Sequence, residues 1–166
     1  SAASDVYKRQ HVAPAQINLE ITETAAAHSD MLENNIKILH KQGIEFSLDD
    51  YGSGYSNTDY LFRFPFRIVK IDKTILWEAF KNEKAMIALR NTIRMIKELG
   101  LEIVVEGVEN QEYVDYLTEQ HCDYLQGYFY SKPIPDRDFL ELLRRENAQY
   151  YAERFSKNEL SDIITT

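Results

Sequence analysis

The sequence predicts an α/β fold of parallel strands, and three observations carry that expectation. Short strand-like runs alternate with stretches of helical apolar period over most of the 166 residues. Cap-forming residues and glycines stand at the joins. Each of the strand-like runs places a polar side chain near its C-terminal end, on a face that a fully buried parallel strand would keep apolar.

The elements follow in order. Ile17–Thr22 alternates as a strand. Ser29 or Asp30 can cap a helix that brings Leu32, Ile36 and Leu39 onto one face, and Gly43 ends it. Ile44–Asp50 is the second strand, and Thr58–Arg63 a short helix that stops before Pro65. Arg67–Asp72 is the third strand. Asn82 can cap a long helix carrying Met86, Leu89, Ile93 and Ile96, closed by Gly100. Leu101–Glu106 is the fourth strand, Asn110 the cap of a helix reaching Glu119, Asp123–Tyr128 a short fifth strand, and Asp136–Arg145 a last helix. Strands that alternate with helices pair in parallel through right-handed crossovers.

Side chains two apart on a strand share a face. Ile17, Leu19 and Ile21 oppose Asn18, Glu20 and Thr22; Ile44, Phe46 and Leu48 oppose Glu45, Ser47 and Asp49; Val69 and Ile71 oppose Lys70 and Asp72. In the fourth strand Leu101, Ile103 and Val105 oppose Glu102, Val104 and Glu106, and in the fifth Leu125 opposes Tyr124, Gln126 and Tyr128. Glu20, Asp49, Lys70, Glu106 and Gln126 converge if the strands belong to a (β/α)₈ barrel, whose active-site floor lies at the strand C-termini. An open doubly wound sheet is the competing arrangement, with its crevice at the same ends.

The adjacent pair Asp49-Asp50 opens the loop Tyr51-Gly52-Ser53-Gly54-Tyr55-Ser56. Neighbouring carboxylates repel unless a cation or a proton lies between them, and glycines beyond them let backbone approach a ligand. A divalent-metal site at the sheet rim is one reading; a solvated acidic turn is the other.

Composition narrows the classes. The formal charge of −8 and the absence of a basic stripe argue against DNA or RNA as partner, although metals let an acidic protein hold a phosphate compound. A single cysteine, Cys122, excludes an internal disulfide and a cysteine-built zinc cluster. No apolar run approaches a membrane span. Residues 1–11 read as a leader foreign to the domain, resembling translated adapter sequence ahead of a truncated frame; 12–147 read as the domain and 148–166 as a polar tail.

Leu19-Glu20-Ile21-Thr22-Glu23, Asp49-Asp50-Tyr51-Gly52-Ser53-Gly54-Tyr55-Ser56, Lys70-Ile71-Asp72-Lys73, Glu106-Gly107-Val108-Glu109 and Gln126-Gly127-Tyr128 through Ser131-Lys132-Pro133 occur in this order. This succession resembles the C-terminal part of an EAL domain, over about residues 12–145. The resemblance implies a partial (β/α)₈ TIM-type barrel with about five of its eight β/α units. It implies metal-dependent hydrolysis of cyclic di-GMP to linear pGpG, a two-metal site for Mg²⁺ or Mn²⁺, a cytoplasmic location in bacteria, and a homodimeric parent protein that is membrane-tethered in many members. The namesake Glu-Ala-Leu segment and an Asn ligand from another early strand are absent, so the chain reads as a fragment that is inactive alone.

Roles implied by the resemblance attach to matching positions. Glu20 and Asp49 are direct metal ligands and Asp50 serves the second metal. Lys70 orients or deprotonates the attacking water, Glu106 stands near the metals partly through water, and Glu23 holds the Asp50–Ser56 loop, which couples the site to dimerisation. Asp72, Gln126 and Tyr128 shape the substrate pocket. Other readings stay open: a buried ion-pair network for Glu20, Lys70 and Glu106, a helix cap for Asp72, a solvated helix start for Glu109, packing rather than guanine stacking for Tyr51, Tyr55 and Tyr128, and surface positions for the four histidines. A cyclic di-GMP sensor without catalysis is the alternative function, and a partner-binding module using the Gly52–Ser56 loop the third.

Overall fold

The computed structural model describes residues 13–27, 30–54 and 58–154. The proposed leader, Ser29, Tyr55, Ser56, His11, His28 and the end of the tail lie outside the described residues. The described structure divides into two compact units, which meet in sequence at Tyr130 and Ser131.

The first unit is built on five parallel strands: β1 (Asn18–Thr22), β2 (Glu45–Tyr51), β3 (Ile68–Ile71), β4 (Glu102–Val105) and β5 (Tyr124–Leu125). They lie side by side in the order β1-β2-β3-β4-β5. A doubly wound sheet reverses its order at a switch point; this sheet has no reversal and follows the successive winding of a barrel. Among the described residues six α-helices belong to this unit: α1 (Glu23–Ala27), α2 (Asp30–His40), α3 (Tyr60–Arg63), α4 (Lys73–Ala79), α5 (Glu83–Glu98) and α6 (Gln111–Glu119); α7 (Asp136–Arg154) lies in the second unit. A 3₁₀ turn at Pro14–Gln16 precedes β1.

One face of the sheet is apolar, as strand parity predicts. Ile21, Phe46, Leu48, Val69, Ile71, Ile103 and Val105 are buried with Ile36, Leu76, Leu89, Ile93, Ile96 and Leu117 of the helices. Burial of such side chains contributes about 1.5–3 kcal/mol each. The predicted caps on α5 and α6 are present: Asn82 Oδ1 accepts from the Lys84 amide (2.9 Å) and Asn110 Oδ1 from the Tyr113 amide (3.0 Å). His40 and His121 are exposed, as expected of surface residues.

Two elements were not foreseen. α1 starts at once after β1, and α4 at once after β3, with no loop residues to announce either. Asp72 is buried and caps α4, its Oδ1 accepting from the Thr74 amide at 2.9 Å. β5 is also only two residues long, where six were expected: beyond it Gln126 O accepts from the Val108 amide and the Phe129 amide donates to Val108 O, both in the β4–α6 connection.

The second unit contains α7, which extends nine residues beyond the expected end at Arg145. Phe139, Leu140 and Leu143 are exposed on it.

Candidate active site

β2 departs from regular alternation at one place. Leu48 pairs with Val69 and Tyr51 with Ile71, so Asp49 and Asp50 together oppose the single residue Lys70. This is a β-bulge. Its extra residue is accommodated by Asp50, whose φ is +58°, in the left-handed region that costs an L-residue about 1–2 kcal/mol. Strict parity would turn Asp50 toward the helices. The bulge instead returns Tyr51 to the buried face and leaves both aspartates half-buried.

The turn after the bulge is closed by the Ser53 amide donating to Asp50 O at 3.1 Å. Gly52 occupies its third position with φ +88°, which type II turns reserve for glycine. Glu23, at the start of α1 and 1% exposed, accepts the Gly52 amide on Oε2 at 2.9 Å. Its other oxygen accepts the hydroxyl of Tyr60. Burial raises the pKa of both Tyr51 and Tyr60 phenols, and the adjacent Glu23 carboxylate raises them further.

Lys70 projects from β3 into a ring of carboxylates. Its Nζ lies 2.8 Å from Asp49 Oδ1, 3.0 Å from Glu20 Oε1 and 3.1 Å from Glu106 Oε1. Burial disfavours the ammonium, but its bonds to Asp49, Glu20 and Glu106 outweigh that penalty and raise the pKa above the usual lysine value. Lys70 is therefore a cation at neutral pH. The ion-pair network foreseen for Glu20, Lys70 and Glu106 exists, with Asp49 as a further member.

Carboxylate oxygens of Asp49, Asp50 and Glu106 lie within 4.8 Å of one another. Asp49 Oδ1 is buried and has no hydrogen-bond partner; the cation that meets it is the Lys70 ammonium, an ion pair at 2.8 Å. Three hard oxygen donors suit a divalent ion such as Mg²⁺ or Mn²⁺. Glu20 stands at the rim with its side chain 53% exposed and reaches the cluster through Lys70.

Beside the cluster opens a cleft of about 210 Å³, lined by Glu106, Glu109, Gln126, Tyr128, Lys73 and Trp77, with Gly107 and Gly127 in its walls. Gln126 is fixed by its backbone: its amide donates to Val105 O at 2.9 Å and its carbonyl accepts the Val108 amide at 3.1 Å. Tyr128 is exposed. Glu109 is exposed just ahead of the Asn110 cap, as expected of a solvated helix start, and it also lines the cleft. Asp72 does not line it; its carboxylate is taken up by the α4 cap. Trp77 and Lys73 were missed because α4 was missed. Trp77 Nε1 donates to Gly107 O at 2.8 Å, and Lys73 Nζ lies over the indole ring, 5.6 Å from its centroid. The one available signal was Asp72-x-Thr74 followed by Ile75, Leu76 and Ala79, a cap ahead of helical spacing.

A family model described as EAL domain matches residues 2–133. The chain belongs to the EAL domain family. The chain is 35% identical over 133 residues to the cyclic di-GMP phosphodiesterase RocR of Pseudomonas aeruginosa, covering 79% of this chain and 34% of that protein. Among solved structures, the EAL domain of Mycobacterium smegmatis DcpA superposes with a TM-score of 0.78 at 29% identity, covering 86% of this chain and 65% of that one. A manganese and cyclic di-GMP complex of Klebsiella pneumoniae BlrP1 superposes with a TM-score of 0.72 at 28% identity, covering 78% and 33%. This chain thus spans about a third of the length of RocR. Its five strands form part of the TIM-barrel-like EAL fold. Among the described residues no helix is long and apolar enough to cross a membrane.

Proposed function

We propose that the EAL domain represented by this chain hydrolyses cyclic di-GMP to linear pGpG at a two-metal site, with Mg²⁺ or Mn²⁺. The observation that carries the reading is the convergence of Asp49, Asp50 and Glu106 oxygens within 4.8 Å, beside the Lys70 ammonium. The relatives named for this activity, and the neighbour solved with manganese and cyclic di-GMP, support the same substrate class.

Asp49, Asp50 and Glu106 would hold the metals, with Glu20 joining from the rim. When bound, such ions would supply Lewis-acid polarisation of a phosphoryl oxygen and lower the pKa of a water at the site. Lys70, as a cation, orients the water through its lone pairs and offsets negative charge on the phosphate as it is attacked. The cleft receives the substrate against Gln126 and Tyr128. Glu23 holds the Gly52 turn, which fixes both aspartates. In this proposal the parent protein acts as a cytoplasmic homodimer and the chain alone is inactive.

The test is cyclic di-GMP hydrolysis, followed as pGpG release with Mn²⁺ present, on this chain and on a version completed with the N-terminal half of an EAL domain. Turnover in the completed protein that disappears in Asp49→Ala supports the reading. Binding of cyclic di-GMP without turnover in the completed protein would replace it with the sensor reading.

A further inference from the structure

Glu23 is nearly inaccessible, yet its carboxylate carries two acceptors that must be met by donors from the protein. One donor is the Gly52 amide, on the turn that follows Asp49 and Asp50. The other is the phenol of Tyr60, on α3 and 2% exposed. Both bonds end on one carboxylate, so the position of each donor constrains the other.

We propose that Tyr60 is a positioning residue that fixes the Asp49–Asp50 bulge through Glu23. Asp50 is held in the left-handed region, a conformation that persists only where surrounding structure enforces it. Two contacts supply that enforcement. On one side Gly52 backs onto Ile75, so closely that a Cβ there would come 2.0 Å from Ile75 Cδ1. On the other, Glu23 draws the Gly52 amide inward by a charge-assisted bond. Without the Tyr60 hydroxyl, Oε1 of Glu23 loses a donor in a buried place. The carboxylate then turns toward another donor, and that turn weakens its grip on Gly52. The turn loosens and Asp50 relaxes out of its strained conformation.

Amide hydrogen exchange, read by NMR on the full chain, tests this without any ligand. In Tyr60→Phe the protection of the Gly52 amide falls at least about tenfold further than that of the Val69 amide in the sheet centre, the loss of roughly one hydrogen bond. Equal loss at both positions would mean that Tyr60 supplies only global stability, and the proposal fails. In a Glu23→Gln background the same substitution adds little at Gly52, because both residues act through one bond; simple additivity also overturns it. If Tyr60→Phe does not give a folded spectrum, Glu23→Gln alone serves, since a neutral amide cannot accept charge-assisted bonds from both donors. Undiminished Gly52 protection there refutes the clamp.

A second arm rests on the metal reading above. Mn²⁺ titration followed by its paramagnetic resonance signal is expected to show about tenfold weaker uptake in Tyr60→Phe than in the unaltered chain. An unaltered chain that takes up no Mn²⁺ counts against the metal reading, while the Gly52 exchange result still decides the role of Tyr60.

Discussion

Gly127 is the position where one added methyl meets the least forgiving surroundings. A Cβ there would lie 2.0 Å from Val108 O, 2.4 Å from Val108 N and 2.6 Å from Val108 C. These are backbone atoms, so no rotamer change relieves the overlap. The two strand ends must separate, and the bonds between them run through the same atoms: Val108 N–H to Gln126 O (3.1 Å) and Phe129 N–H to Val108 O (3.0 Å). Overpacking costs about 1–3 kcal/mol, and two weakened hydrogen bonds about 1 kcal/mol each. Lower unfolded-state entropy for alanine returns about 0.4–1 kcal/mol. Gly127→Ala is therefore expected to lose about 3 kcal/mol. With a urea slope of about 2 kcal/mol per molar, the unfolding midpoint falls by about 1.5 M. Gly54→Ala is the control, since nothing lies within 4 Å of its added Cβ, and its midpoint should move by no more than about 0.3 M. A shift in Gly127→Ala below about 0.5 M, with an unchanged slope, would refute the steric reasoning.

Three further outcomes follow from the same geometry. Asp72→Ala should cost about 1 kcal/mol in thermal or urea unfolding as the α4 cap is lost, while Asp72→Asn retains most of it; a loss of cyclic di-GMP binding in both variants at full stability would instead place Asp72 in the pocket. Burial pushes the Cys122 thiol up to about 12 from an ordinary 9. Its folded pKa is raised, so its contribution to stability is complete below about pH 9 and fades as the pH climbs toward about 12; alkylation at pH 8 should be slow in the folded chain, and modification as fast as in denaturant would contradict it. Lys70→Met leaves Glu20, Asp49 and Glu106 without their cation. Removing one partner from a buried network costs about 3–5 kcal/mol, halved here to about 2 because Glu20 is solvated. Mn²⁺ should restore more melting temperature to Lys70→Met than to the unaltered chain, and an equal effect on both would count against a cation site at these carboxylates.

Strand parity was a sound guide wherever the ladder is regular. It placed Glu20, Asp49, Lys70 and Glu106 on one face, and Lys70 does touch the other three. It fails at Asp50, because a period of two assumes one residue opposite one residue. Asp is among the few non-glycine residues that tolerate a positive φ, and Gly52 follows closely, so a bulge was permitted by the sequence but not dictated by it. What dictates it is tertiary: Glu23 reaches from α1 to the Gly52 amide, 29 residues away, and Ile75 closes the other side. Contacts across such separations leave no local pattern.

The missed α4 has a different cause. It follows β3 without an intervening loop, and Asp72 has two possible duties, the last polar position of a strand or the first cap of a helix. Reading it as a strand end hid the helix, and with it Trp77. The consequence reaches the site. Trp77 holds Gly107 O at 2.8 Å, and Gly107 is the residue next to Glu106. Gly107 itself has φ +73°, and a Cβ there would meet Lys73 Cβ at 2.3 Å. The first turns of α4 and the end of β4 are thus fitted to each other at the residue beside a proposed metal ligand. A residue-by-residue motif records Glu106 and Gly107 but not the indole that donates to Gly107 O. That donor comes from a helix whose start is coded by the aspartate just ahead of it.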